Sequence, residues 1–446
     1  MNRYFETKTL SRIGACVAGL IALCCVSAAG QTSGSTNPPA SNEVEQGVSS
    51  AAQEGRTWFG QPFRGHWTLT GSAEVGQQYD DNVFPYLGTR LSDNVSTFSF
   101  RVSTGIRSKR LSFQAHYLPQ YSLHAKYGDT NSFSQQYGQD LTYKWSERTD
   151  LAWSAGASRI ESGNSSQFLL VQYSPDSAEP VFYPQALQQN TDIVSTNSLL
   201  TLHHRFTPRV TMNSGITGSF TRFKSSNSSP LIANLGNQSF QVGGNLGWDY
   251  EFVTGKKVGL TFNDSYSGFL NPSSHQNYQA ALLTYSQILP GRLHFSAGAG
   301  PSFSSTQAFA GGAAATDISF AANLALSRTM RGYNLGVALN RGSQLGTVQG
   351  SLATLTSSVS ASKSWRRRWT TNASFSYSRM QALVLQQRTE SYSVSSSAGY
   401  RLNPQMQVQL RYSYVTQMAD FLSAQNFDRN LYGVTLAYTF GEHRRQ

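Results

Sequence analysis

Apolar and polar residues alternate along most of the chain from residue 66 onward. The clearest stretch runs from Phe240 to Phe252, where every second residue is apolar or glycine and the residues between are polar or small. Successive side chains of a strand point to opposite faces, whereas the same pattern on a helix would scatter its apolar residues around the axis. The alternation therefore predicts strands with one apolar and one polar face.

The same rule predicts eighteen strands, or sixteen if one loop has been divided, with examples near 237–252, 257–269 and 332–341. The connections between them alternate in length. Every second one is tight, as at Thr207-Pro208, and the others are mostly long and polar, the longest covering 161–191. This asymmetry is typical of an outer-membrane barrel. The sequence predicts an all-β, antiparallel, up-and-down transmembrane β-barrel with short periplasmic turns and long outer loops.

The composition supports this fold class. The 446 residues include 35 Lys and Arg and 24 Asp and Glu, so only 13% are charged, while 12% are aromatic. Disordered chains have few aromatic residues, and a surface so poor in charge is badly soluble unless part of it faces something other than water. Beyond the N-terminus there is no apolar run long enough for a spanning helix.

The N-terminus has the order of a secretory signal peptide: a basic start, an uncharged stretch from Ile13, and small residues ending at Gly30. The alternative is an uncleaved N-terminal anchor helix. We expect a signal peptide at 1–30, a disordered periplasmic leader at 31–65, the transmembrane barrel at 66–440 and a periplasmic tail at 441–446. The three cysteines lie within 1–30, so the exported chain would have none. Thiolate metal sites and disulfides are thereby excluded from it.

A closed barrel of about eighteen strands encloses a lumen wide enough for water. The polar positions of the alternation then line it, and the charged and histidine candidates are Glu74, Arg101, Arg107, His116, Lys144, Asp249, Glu251, His294, Arg401 and Arg411. Bases modestly outnumber acids in this set, which either favours anions weakly or only solvates the wall. The 161–191 loop could fold inward as a constriction or stand outside as an epitope.

Signals for catalysis are thin, and we expect no enzyme activity, cofactor or metal. His203 and His204 are adjacent in a strand and must face opposite sides, so they cannot share a metal ion. The run Asp80-Asp81-Asn82 could bind calcium, although a turn at a strand end explains it better. Two charges fall on the lipid-facing positions. Lys363 can extend its stem to the headgroups, and Asp264 would need a bulge at Asn263-Asp264 to escape the lipid.

The stretch Gln77–Phe84, which reads Gln-Gln-Tyr-Asp-Asp-Asn-Val-Phe, resembles the end of the first strand in a family of outer-membrane β-barrel porins. Leu111–Tyr121 and Leu141–Trp153 are similar to the same family, and the likeness is sharpest over 66–160. Some members are associated with exopolysaccharide biosynthesis and export. The last strand, ending in Phe440, is similar to the terminal strand that the barrel assembly machinery recognises, although six residues follow it here.

These observations predict a protein of the bacterial outer membrane that forms a passive aqueous channel for hydrophilic solutes or an exported polysaccharide. The expected partners are outer-membrane lipid, the barrel assembly machinery, and polysaccharide or small anionic solutes, but not nucleic acid. An alternative is a non-conducting surface adhesion or structural barrel whose long loops bind partners. A barrel-embedded hydrolase that uses His116 or His294 is a third hypothesis.

Overall fold

The structure is a computed structural model of the chain. It describes fifteen stretches, and the gaps between them fall mostly at the N-terminus and in the long connections. The described residues are 57–58, 61–62, 66–83, 90–162, 171–173, 180–182, 191–225, 238–270, 273–307, 314–330, 332–346, 350–365, 368–382, 388–420 and 426–441. The predicted signal peptide lies outside them, and so does most of the predicted leader.

The described part of the chain is almost entirely β-structure. Its strands, numbered along the chain, are β1 Thr57–Trp58, β2 Gln61–Pro62, β3 His66–Asp80, β4 Asp93–Arg107, β5 Leu111–His124, β6 Ser132–Ser146, β7 Thr149–Ser162, β8 Val171–Tyr173, β9 Pro180–Phe182, β10 Thr191–Arg205, β11 Val210–Ser225, β12 Gln238–Val253, β13 Lys256–Leu270, β14 Ser273–Leu289, β15 Leu293–Gln307, β16 Ala314–Met330, β17 Tyr333–Gly346, β18 Gly350–Trp365, β19 Trp369–Ala382, β20 Arg388–Arg401, β21 Met406–Ala419 and β22 Phe427–Gly441. One 3₁₀ helix, Gly128–Thr130, follows β5. None of the described residues form a helix long and apolar enough to cross a membrane.

Eighteen of these strands form one closed antiparallel barrel, β3–β7 and β10–β22, in which each strand pairs with the next. The last strand, β22, pairs with β3 and closes the ring. The predicted fold class and the count of eighteen are confirmed, and the alternative of sixteen is wrong. The remaining four strands make two small hairpins. One of them, β1–β2, lies within the predicted disordered leader, and the other, β8–β9, lies within the 161–191 loop.

The two faces of the wall differ as the alternation predicts. In β22, Tyr432, Val434, Leu436 and Tyr438 project outward, each between 41% and 50% exposed. The residues between them face the lumen. Because no other part of the described chain covers these apolar side chains, the exterior is an apolar surface suited to lipid rather than water.

Both predicted charged exceptions face outward. The Lys363 ammonium lies 3.1 Å from the centre of the Trp365 ring and 4.1 Å from that of Tyr333, close to the short-turn rim. The bulge considered at Asn263-Asp264 is wrong, because β13 pairs with β12 in unbroken register from Phe269 through Asp264 to Lys257. The register shifts instead near the short turns, at Glu251/Val253 and Lys144/Ser146.

The wall is irregular at the long-loop ends of β16 and β17, which separate from each other. The ladder between β16 and β17 joins only Ala322–Met330 to Tyr333–Arg341, so the long-loop ends of these two strands are not paired with each other. At the same level β15 carries Gly300-Pro301, and a Cβ atom on Gly300 would overlap the carbonyl oxygen of Ala281 in β14. The glycine thus permits a backbone approach that no other residue allows.

The stretch that carries the porin resemblance lies at the closing seam. The carboxylate of Asp81 accepts hydrogen bonds from the backbone N and the Nδ2 atom of Asn430, at 2.6 and 2.8 Å. Asn82 Nδ2 donates to the carbonyl oxygen of Asp428 at 2.7 Å. These side chains therefore join the two ends of the barrel, and the strand-end interpretation accounts for them without a calcium ion.

Candidate functional site: the inward face of the barrel

All ten predicted lumen residues occupy inward positions of the ladder. Each neighbours an outward apolar residue along its own strand, as Glu74 neighbours Val75, Lys144 neighbours Trp145 and Arg411 neighbours Leu410. The full set on this face is Glu74, Arg101, Arg107, His116, Lys144, Asp249, Glu251, His294, Arg401 and Arg411. That they line a conducting pore stays a prediction.

Acids and bases balance on this face. Among the described barrel strands, the inward bases are Arg101, Arg107, Lys144, Arg205, Lys257, Arg401, Arg411 and Arg429. The inward acids, equal in number, are Glu74, Asp80, Asp93, Asp140, Asp150, Asp249, Glu251 and Asp317. The sequence pattern had missed several acids that lie near strand ends. Asp80, Asp93 and Arg429 are buried, so seven bases and six acids remain on the accessible wall, a smaller excess of bases than the sequence pattern indicated.

The wall near the short turns carries a chain of hydrogen bonds across three strands. His203 Nδ1 lies 2.6 Å from Asn213 Oδ1, and Asn213 Nδ2 donates to Asp249 Oδ2 at 3.1 Å. Glu251 Oε1 accepts from the backbone N of Gly255 at 2.8 Å. These contacts fix the side chains against the wall.

Other inward side chains are spread around the wall rather than gathered. Arg411 donates from Nε and Nη2 to Gln409 Oε1, at 3.0 and 2.7 Å. The ring of His116 occupies the space beside Gly138, while His294 is exposed to the lumen. The two histidines of the hydrolase hypothesis are thus on different parts of the wall, on β5 and β15.

No group of three or more His, Cys, Asp or Glu side chains able to hold a metal ion occurs among the described residues. A histidine–carboxylate contact lies near the long-loop rim, where His124 Nδ1 is 3.2 Å from Asp93 Oδ2. Both side chains are buried. Asp93 Oδ1 also accepts from the backbone N of Lys126 at 2.9 Å, so this carboxylate ties the β4 and β5 ends together.

A narrowing of the lumen is the feature that the sequence pattern did not reveal. Past the end of its ladder with β16, β17 lies against the inward face of β14, with Gln276 Nε2 3.2 Å from Ser343 Oγ. Beneath this contact, Ala280, Leu282 and Ala321 form a small buried apolar cluster on the inward wall, with Tyr278 beside it. The predicted constriction by the 161–191 loop lies largely outside the described residues.

No known protein family and no curated protein matches the sequence. Among solved structures, the FrpB iron transporter of Neisseria meningitidis (F5-1 variant) is similar over 84% of this chain and 82% of its own, with a TM-score of 0.50 and 7% identity. The F3-3 variant of the same transporter is similar with a TM-score of 0.49 and 9% identity. The match covers 83% of this chain and 66% of that structure, so this chain spans just under two thirds of its length. A BenF-like porin from Pseudomonas fluorescens Pf-5 is similar with a TM-score of 0.43 and 11% identity, over 84% of this chain and 99% of its own.

At these identities the likeness establishes the fold alone. The closed barrel and its apolar exterior indicate that the protein lies in a membrane, since a sheet can cross lipid only when it closes on itself. An even-numbered antiparallel barrel with an outward apolar band is the transmembrane architecture of the bacterial outer membrane. The protein is an eighteen-stranded β-barrel of that membrane.

Proposed function

We propose that the protein is a passive, water-filled channel for small hydrophilic solutes with little preference for the sign of their charge. The observation that carries the proposal is the inward face, where polar side chains and nearly equal numbers of accessible acids and bases line a barrel of eighteen strands. A barrel of this size encloses an aqueous lumen, whereas eight strands would be filled by side chains.

Reconstitution in planar bilayers tests the proposal. We expect discrete single-channel steps and a reversal potential close to zero under a gradient of potassium chloride, because the wall charges cancel. Protein that is folded, as judged by its heat-modifiable migration on gels, but never conducts would refute the channel. A strongly selective current would retain the channel and refute the neutral wall.

The proposal extends to an exported polysaccharide only through the resemblance of Gln77–Phe84 to porins associated with exopolysaccharide. An extended, hydrated polymer would need the same wetted wall. Neutral and acidic oligosaccharides added on one side should then block the current transiently, with residence times that lengthen with chain length. Blocking that is independent of length would leave small solutes alone as the cargo.

A non-conducting surface barrel is the second candidate, and one observation favours it. The contact of Ser343 with Gln276 holds part of β17 against the inward face of β14, three strands away, and reduces the open cross-section. If this part of β17 closed the lumen fully, reconstituted protein would be silent and would conduct after the contact was removed.

A further inference from the structure

The outward charges of the barrel are confined to its rims, with two exceptions. In the described strands, all the others lie within three residues of a strand end. Asp264 lies six residues before the end of β13, and Arg341 lies five residues before the end of β17. Each stands eight residues above its short turn, which corresponds to about 20 Å for a tilted strand and falls within an apolar band about 25 Å tall.

Neither charge has a partner among the described residues. Asp264 is flanked in the ladder by Gly244 and Gln279, and Arg341 by Ala322 and Leu355. Both side chains are exposed. A charge at this depth on a lipid-facing wall has a high free-energy cost. Pairing two residues of opposite sign would offset that cost. They cannot meet within one barrel, since four strand steps separate β13 from β17.

Asp264 also borders a hollow in the outward face. The hollow has a volume of about 510 Å³, and its walls include Leu200, Ile216, Leu246 and Phe262. Its floor is formed where the small residues Ser214 and Gly244 leave the sheet uncovered. A carboxylate beside an apolar depression is suited to a protein surface that supplies both a cation and an apolar projection.

We propose that this face binds a second copy of the chain, with Asp264 of one barrel paired to Arg341 of the next. Two parallel barrels that face each other present their strands in opposite order. When β13 faces β17, β12 therefore faces β18 and β11 faces β19. This alignment places Val359 and Phe375, which are 48% and 41% exposed, opposite the hollow. The charge pair and the fit of apolar side chains to the hollow thus support the same docking arrangement.

The arrangement closes into a ring. Four of eighteen strand steps amount to about 80° around the barrel. Two contact sites on each copy that are about 60° apart close a ring of three, and sites about 90° apart close a ring of four. In a two-fold dimer centred on β15, both charge pairs would lie two strands from the centre of the contact, where the two curved walls move apart. The Asp264 face of each barrel therefore contacts the Arg341 face of the next, and the same contact repeats around the ring.

Cross-linking tests the ring directly. The full-length gene carrying both Leu260→Cys and Val337→Cys, outward positions on β13 and β17 that leave Asp264 and Arg341 in place, is expressed, and outer-membrane protein is treated in the membrane with a short bismaleimide. We expect a gel ladder that ends at three or four copies. Each single variant should stay monomeric on the gel, because like positions do not meet in a ring. The pair Phe98→Cys and Val394→Cys, also four strands apart but on β4 and β20, should give no ladder.

Two further variants separate docking from folding. Gly244→Leu fills the hollow, where a Cβ atom meets only a normal contact, and should weaken self-association at least about 10-fold by native mass spectrometry. Ser396→Leu, an outward change on β20, should leave association unchanged. Asp264→Asn should weaken association by about 30-fold or more, and the exchanged pair Asp264→Arg with Arg341→Asp should restore it. A wild-type protein that stays monomeric, or a ladder that stops at two copies, overturns the proposal.

Discussion

The guanidinium of Arg429 in the last barrel strand donates from Nε to both carboxylate oxygens of Asp80 in the first strand, at 3.0 and 3.1 Å, and Nη2 donates to Oδ2 as well. The two side chains are only 6% and 1% exposed. They are 349 residues apart in the chain. The pair therefore joins the ends of the barrel from within a dry site, at the place where the ring has to close.

Asp80→Asn should destabilise the barrel strongly, because it leaves the Arg429 guanidinium buried without its counter-charge. Removal of one partner from a buried pair costs about 3–5 kcal/mol. Urea-induced unfolding from lipid vesicles measures the loss. The matched control is Asp428→Asn, which breaks the neighbouring pair with Arg90 at side chains that are 39% and 58% exposed. An equal loss from both variants would contradict the burial of the seam.

The face assignment predicts opposite outcomes for adjacent residues of β22. Val434, 48% exposed, faces outward near the middle of the strand, and Thr435 faces the lumen. Val434→Arg should lower the free energy of unfolding by about 2–4 kcal/mol, because the arginine enters the hydrocarbon. Thr435→Arg should be tolerated in the wetted lumen. Folding yield into vesicles compares the two, and equal yields would mean that the faces are not distinct.

The sequence was sufficient for the fold because lipid on one side and water on the other impose alternation on every strand. The predicted strand 237–252 corresponds to Gln238–Val253, and 257–269 corresponds to Lys256–Leu270. The exception is instructive. The predicted strand 332–341 ends at Arg341, whereas β17 continues to Gly346. The rhythm stops where β17 leaves β16 and turns against the inner wall, since that part of the strand has no lipid-facing side.

The contacts of the lumen and the seam were less accessible from the sequence. Alternation assigns a face to a residue but not a partner, so it identified Asp249 as inward without indicating Asn213 beside it. The seam depends on the pairing of residues at opposite ends of the chain, such as Asp81 and Asn430. A single sequence carries no local signal for such a pair.

Gly300 should be intolerant of a side chain. A Cβ atom there would overlap the carbonyl oxygen of Ala281, so Gly300→Ala should cost about 1–3 kcal/mol or shift β14 away from β15. Gly218→Ala on β11 is the control, because nothing lies within 4 Å of the added Cβ atom. Thermal unfolding in detergent ranks the two. A neutral Gly300→Ala variant would show that the wall is not folded as tightly at this point.

Ion selectivity should follow the sign of the inward charges. The double variant Lys144→Glu with Arg411→Glu adds negative charge to a balanced wall, so its reversal potential should shift toward cation preference. Asp249→Lys should shift it toward anions. High salt should shrink both shifts, because the Debye length falls to about 3 Å at 1 M. Shifts of the same sign in both variants, or none at all, would mean that these residues do not face the permeation path.

The long-loop end of β17 should act as a movable constriction. Past Arg341 it has lost its ladder with β16 and lies against β14, where one of the contacts is the hydrogen bond between Gln276 and Ser343. A single such bond contributes about 0.5–1.5 kcal/mol, so thermal motion should break it often. We expect two conductance levels in single-channel records. Cysteines at both positions, oxidised to a disulfide, should abolish the higher level, and reductant should restore it. Wild-type protein treated with the same oxidant is the control. A single level that oxidation of the double variant leaves unchanged would mean that β17 is a fixed part of the wall.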